Sequence, residues 1–179
     1  KKEETLDEAA IRVLHSLTGL NDVYMEQLHA FSKIDRDPVE RTISVTYFAL
    51  INIAEHDKEL IHKYSARWFN ISEMPVLIFD HNEMVEKAVR RLRYRTSIQP
   101  IGFELLPEKF TMRQLQKLYE AILNQELDKR NFNKKINALN LLVKLEEKDM
   151  DSSRKGSFLY KFDELKYQQK VAEGFSFKL

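Results

Sequence analysis

The sequence predicts an α/β chain (α+β in layout) built in two parts. Three observations carry that expectation. An apolar helix pattern near the start gives way to alternating strand patterns. Pro100, Gly102 and Pro107 then fall close together and punctuate the chain. Beyond them the order becomes helix, short turn, helix and two strands, the order of a winged helix-turn-helix.

The 179 residues hold 29 Lys+Arg against 28 Asp+Glu, a net charge of +1. That balance excludes a uniformly basic nucleic-acid coat and an acidic solvating tail. With no Cys, disulfides and thiolate chemistry are excluded, which fits a cytoplasmic chain. No run approaches the ~20 apolar residues of a membrane span. Charge shifts along the chain: residues 1–100 carry 14 basic and 16 acidic side chains, and residues 101–179 carry 15 and 12. Lys1, Lys2, Glu3, Glu4 and Asp7 stand where a signal peptide would need an apolar run. A helix begins almost at once, so an upstream segment is expected to precede this sequence.

The first helix is expected over Thr5–Leu17, with Leu6, Ala9, Ala10, Val13, Leu14 and Leu17 at spacings of three and four. Gly19 stops it. Val23–Phe31 reads as a strand, Asp35-Arg36-Asp37-Pro38 as a polar turn, and Arg41–Ile53 as the strongest strand. A short helix is expected over His56–Tyr64, a brief strand at Trp68-Phe69, and an amphipathic helix over Asn82–Arg95. The boundary falls at residues 97–107, giving parts of 1–98 and 99–179. In the second part Thr111 and Gln114 form a capping box ahead of the stripe Leu115, Leu118, Tyr119 and Ile122. Asp128 is the second N-cap candidate, for a helix over Lys129–Asn140. Leu142–Leu145 and Phe158–Phe162 read as strands.

On the second helix of that pair, Phe132, Ile136 and Leu139 must face inward. The opposite face then carries Lys129, Arg130, Asn133, Lys134 and Asn137. Lys and Arg neutralise phosphates, and Arg and Asn can pair bidentately with guanine and adenine edges. The hairpin tip adds Arg154 and Lys155. The competing reading is a solvated helix face beside an ordinary loop. Trp68 is read as core. His15, His29, His56, His62 and His81 are scattered, and no metal site is expected. Arg90, Arg91, Arg93 and Arg95 read as a solvated helix face, and Phe175 and Phe177 as packing onto the second part.

Glu4, Arg12 and Gly19-Leu20 stand at the spacings of a Nudix box, whose remaining glutamate positions are held here by Val13, Ser16 and Leu17. Magnesium requires hard anionic oxygens, and these three side chains supply none. The whole chain resembles the Nudix-related transcriptional regulators, which join a Nudix-like sensing domain to a C-terminal winged helix. The resemblance is carried by the box, by Arg67-Trp68-Phe69, by Phe79-Asp80-His81, by the Gly102-Phe103-Glu104-Leu105-Leu106-Pro107 linker, by Asp128-Lys129-Arg130-Asn131-Phe132 and by Leu159-Tyr160-Lys161-Phe162. Arg154-Lys155-Gly156-Ser157 stands where the family often has paired arginines.

The resemblance implies a Nudix-like mixed-sheet α/β/α sandwich whose first strands are expected upstream of this sequence. It further implies a homodimer on a palindromic DNA operator, released or recruited by a small effector. That effector would be a sugar such as arabinose or an ADP-ribose-like nucleotide. Catalysis, a metal and a cofactor are not expected. For a sugar, Asp35, Arg36, Asp37 and Arg41 are the candidate ligand-binding residues, with a salt-bridged turn as the alternative reading. The Asn82–Arg95 helix and the Thr96–Pro107 linker are the expected transmission elements. The rival functional class is a Nudix-type hydrolase of nucleoside diphosphate derivatives.

Overall fold

The computed structural model describes residues 3–21, 23–51, 64, 67–150 and 155–174. The chain divides into two compact units, residues 1–90 and 91–179. The helix expected at His56–Tyr64 lies, apart from Tyr64, outside the described residues, as do Arg154, Phe175 and Phe177.

In the first unit, α1 spans Leu6–Thr18. Thr5 caps it reciprocally with Glu8, which satisfies amide groups that no helical carbonyl reaches. Gly19 ends it with φ 73°, and a Cβ there would meet the Tyr64 ring at 2.3 Å, so only glycine fits. Strands β1 (Met25–Phe31) and β2 (Ser44–Ala49) pair antiparallel, with a bulge between Gln27 and His29. The long strand expected to start at Arg41 therefore begins only at Ser44. Trp68-Phe69 is not a strand, and Trp68 is 40% exposed rather than core. A 3-10 turn at Ile71–Glu73 precedes helix α2, His81–Ile98, whose residues run past the division between the units.

Among the described residues of the first unit, a small apolar interior is joined by one buried ion pair. Only Leu20, Leu28 and Phe31 are buried apolar side chains among its described residues. The Arg36 guanidinium, 3% exposed, grips Asp80 with two hydrogen bonds of 2.8 and 2.9 Å and donates a third, of 2.8 Å, to the Ser44 hydroxyl. A charge removed from water is tolerated only when paired and hydrogen-bonded this fully. The clasp ties the turn after β1 to the start of β2 and to the residue that opens α2.

The second unit has an aromatic core. Helix α3 spans Met112–Leu123 and α4 Lys129–Leu139. Strands β3 (Phe110–Thr111), β4 (Leu142–Asp149) and β5 (Ser157–Phe162) form one antiparallel sheet in the order β3-β5-β4. Helix α5, Glu164–Ala172, follows. Phe110, Leu115, Tyr119, Phe132 and Ile136 are each at most 3% exposed and pack together, flanked by Leu139, Leu142, Tyr160 and Phe162. Tyr119 meets Phe132 edge-on at 5.7 Å, and Phe103 stacks on Phe162 at 4.1 Å. Thr111 and Gln114 form the expected capping box, and Asp128 caps α4 through the Asn131 amide at 2.8 Å.

Two predictions follow from these interiors. Phe132→Ala should cost the second unit about 3–5 kcal/mol, the usual penalty for emptying a buried phenyl site. Hydrogen exchange of the α4 amides against denaturant measures it; an unchanged protection would show that Phe132 is not the anchor. The Arg36 hydrogen bonds hold the Asp80 carboxyl below its ordinary value of 3.8. Its contribution is therefore complete above that value and is lost as pH falls toward the depressed one. The melting temperature of Asp80→Asn should lie below the native one at neutral pH, with the gap closing below about pH 4.

Candidate nucleic-acid interface and ligand site

With Phe132 and Ile136 buried, the rotation of about 100° per residue decides where the rest of α4 points. Arg130, Lys134 and Asn137 fall on the opposite side and are exposed, with Lys129 exposed at the first turn. Asn133 stands on the flank, half-buried, and its side-chain oxygen is buried without a hydrogen-bond partner. Four of the five residues expected on this face thus project into solvent, and the fifth lies at its margin. Lys155 is exposed at the tip of the β4–β5 hairpin.

The turn that aims α4 is pinned by two residues that sequence patterns missed. The Glu120 carboxylate accepts from the Leu127 amide at 3.0 Å and from the Gln116 side chain at 2.9 Å. Gln116 also donates to the Leu127 carbonyl at 2.8 Å. The Leu127 amide, then Gln116, hold the Glu120 carboxyl below its ordinary value. A Gln and a Glu four apart on an otherwise amphipathic helix were the available signal.

In the first unit the Asp35–Arg41 group does not converge on a cavity. Arg36 is committed to Asp80 and Ser44, as described. Asp37 accepts from the Val39 amide at 2.9 Å and from the Thr42 hydroxyl at 3.0 Å, which together lower its carboxyl pKa. Arg41 donates to the carbonyls of Ser32 and Lys33 at 2.8 and 3.0 Å, and Asp35 is exposed. None of the four lines the two cavities beside α1.

The first of those cavities, about 300 Å³, is lined by apolar residues of α1 and the strands, among them Leu14, Leu20 and Ile51, and by Arg67 and Trp68. The second, about 450 Å³, lies between the apolar face of α1 and Met25, Ile43, Val45 and Tyr47. On α1 itself, Arg12 is bound to Glu4 by two hydrogen bonds of 2.6 and 2.8 Å. The guanidinium brings the Glu4 carboxyl down to about 2. Val13 and Leu17 are exposed, and the Ser16 hydroxyl is turned onto the Val13 carbonyl. Among the described residues no group of three or more His, Asp and Glu could hold a metal. Among them, too, no helix is long and apolar enough to cross a membrane.

Residues 102–162 match the family of the NrtR DNA-binding winged helix domain. The chain is 28% identical over 164 residues to the ADPR responsive transcriptional repressor NtrR of Acinetobacter baylyi, covering 90% of this chain and 65% of that protein. It is 32% identical over 87 residues to an ADP-ribose pyrophosphatase of Methanocaldococcus jannaschii, covering 49% of this chain and 51% of that one. The chain thus spans between half and two thirds of the length of these curated relatives. The crystal structure of Shewanella oneidensis NrtR complexed with a 27mer DNA aligns at a TM-score of 0.77 and 24% identity, covering 98% of this chain and 78% of that one. A MutT/nudix family protein from Enterococcus faecalis aligns at 0.65 and 23% identity, covering 90% and 71%. An NrtR-type winged helix thus follows an α/β unit, and the fold of the chain is like that of the Shewanella NrtR and Enterococcus MutT/nudix structures.

Proposed function

We propose that the chain is a ligand-responsive DNA-binding transcriptional regulator. The observation that carries the reading is α4: within a winged helix, it turns Arg130, Lys134 and Asn137 away from the core. A helix so furnished suits the major groove, where Arg and Asn read base edges and Lys meets phosphate. Lys129, Asn133, Arg154 and Lys155 complete the proposed contact set. Residues 99–179 would form the DNA-binding part and residues 1–98 the sensing part. In this reading the chain acts in the cytoplasm as a homodimer on a palindromic operator, and α2 transmits the effector's state to the DNA-binding part.

For the effector we favour a nucleotide of the ADP-ribose class over a sugar such as arabinose. Two relatives bear ADP-ribose in their names, and none of the relatives described here is named for a sugar. The cavity lined in part by Arg67 and Trp68 offers a cation and an aromatic face, which suits a phosphate and a base. Arg36 and Asp37 would serve by holding the 35–42 turn, leaving Asp35 and Arg41 nearer the surface. The pyrophosphatase likeness favours a second reading, hydrolysis of a nucleoside diphosphate derivative. Val13, Ser16 and Leu17 weigh against it, since magnesium on a diphosphate needs carboxylates.

Selection from a random duplex pool near physiological salt tests the reading. An enriched palindrome is expected, and ADP-ribose should shift the affinity for it. Arg130→Ala should then cost about 1–3 kcal/mol and relax the sequence preference, whereas Lys134→Ala should weaken all duplexes alike. Salt-sensitive retention without a consensus would overturn the regulator reading. Magnesium-dependent release of AMP from ADP-ribose would establish the hydrolase instead.

A further inference from the structure

The β4–β5 hairpin carries a feature that lies on its strands rather than at its tip. Lys144 pairs with Tyr160 and Lys148 with Phe158, so four residues of β4 advance against two of β5. A regular strand would place side chains four residues apart about 13 Å from each other. The bulge at residues 145–147 gathers that length, and both lysines reach the same ring. The Lys144 ammonium lies 3.6 Å from the Phe158 centroid and the Lys148 ammonium 4.7 Å from it. Sharing one ring brings the two charges to about a Debye length of each other or closer at physiological salt.

Lys148 is also seated from behind. Gly156 has φ +70°, and a Cβ there would stand 3.1 and 3.2 Å from the Lys148 Cβ and Cδ and 2.7 Å from the Met150 sulfur. The missing side chain lets the turn backbone lie against the lysine stem. Both lysines are exposed, and neither has a carboxylate within salt-bridge distance among the described residues. Of the neighbouring acids, Glu147 is bound to Lys109 at 2.7 Å. Two like charges held this close repel one another, and an anion between them relieves the cost. Phe158 continues the sheet face of Tyr160 and Phe162, which pack on the core that also buries Phe132 and Ile136 of α4. The cations therefore lie on α4's side of the sheet.

We infer that Lys144, Lys148 and Phe158 form a preorganised site for the phosphodiester backbone of duplex DNA, flanking the groove that α4 enters. The site rests on the DNA-binding reading above. The ring holds the ammoniums by cation–π attraction, so less side-chain freedom is lost when phosphate arrives. The tip residue Lys155 has no such seat among the described residues.

Fluorescence anisotropy on the full chain with a selected duplex, across a salt series, tests it. The double variant K144Q/K148Q should lower the slope of log affinity against log salt by about 2 for each protomer bound, and the affinity at 0.15 M salt by roughly tenfold or more. K144R/K148R should restore the slope. Phe158→Leu, with folding checked by its melting temperature, should weaken binding in the native background and not in K144Q/K148Q. An unchanged slope in K144Q/K148Q, with Lys134→Ala lowering it, would overturn this site and leave the regulator reading intact. No salt-sensitive duplex binding by the native chain would overturn both. A loss confined to single-stranded RNA would overturn the assignment to duplex DNA.

Discussion

The second unit depends on the burial of Phe132 and Ile136 against Tyr119, Leu115 and Phe110. These five side chains make α4 a helix with one permitted orientation. A helix with two apolar anchors four residues apart cannot roll without exposing one of them. Fixing the inward face therefore fixes the outward one. The Gln116–Glu120–Leu127 clip and the Asp128 cap then set the angle at which the chain enters α4. The exposed Arg130, Lys134 and Asn137 lie outside the buried cluster that sets this orientation.

The first unit is held together on a different principle. Its described apolar interior is small, and α1 leaves Leu6, Val13 and Leu17 exposed. A two-stranded ribbon is marginal by itself. The Arg36–Asp80–Ser44 clasp contributes specificity rather than bulk. A buried ion pair has one acceptable geometry, so it sets which turn meets which helix end. Phe79, immediately before Asp80, takes a left-handed φ of 51°, a conformation that costs an L-residue about 1–2 kcal/mol. That kink delivers the carboxylate back toward Arg36.

Legibility in the sequence followed the physics of each element. The α3–α4 pair was readable because helix periodicity, two N-caps and a short turn all agree over residues 111–140. The hairpin was readable in outline, but its bulge was not. Alternation counts faces and cannot see that Lys144 and Lys148 share one ring. Strand β3 is too short to leave a period, and α5 has Leu165 and Val171 exposed and so lacks an apolar stripe. Trp68 misled because a lone large aromatic is read as core by default. The Asp35–Arg41 turn was legible as a charged group. The destination of its charges was not, because Asp80 lies more than forty residues away in sequence.

Helix α1 is fixed at both ends by the residues that carry the box pattern. Glu4 and Arg12 clasp one another, and Gly19 closes the helix in a left-handed conformation that would strain any other residue. Those positions govern the shape of the turn. Val13 and Leu17 are exposed apolar side chains, and the Ser16 hydroxyl is turned onto the helix backbone. In the regulator reading proposed above, neutral and cationic groups would recognise the shape and charge of a nucleotide. Val13, Ser16 and Leu17 offer a divalent ion no anionic oxygen, so in that reading a bound nucleotide would be kept whole. An intact ligand that binds and leaves unchanged is what reversible control of DNA binding requires.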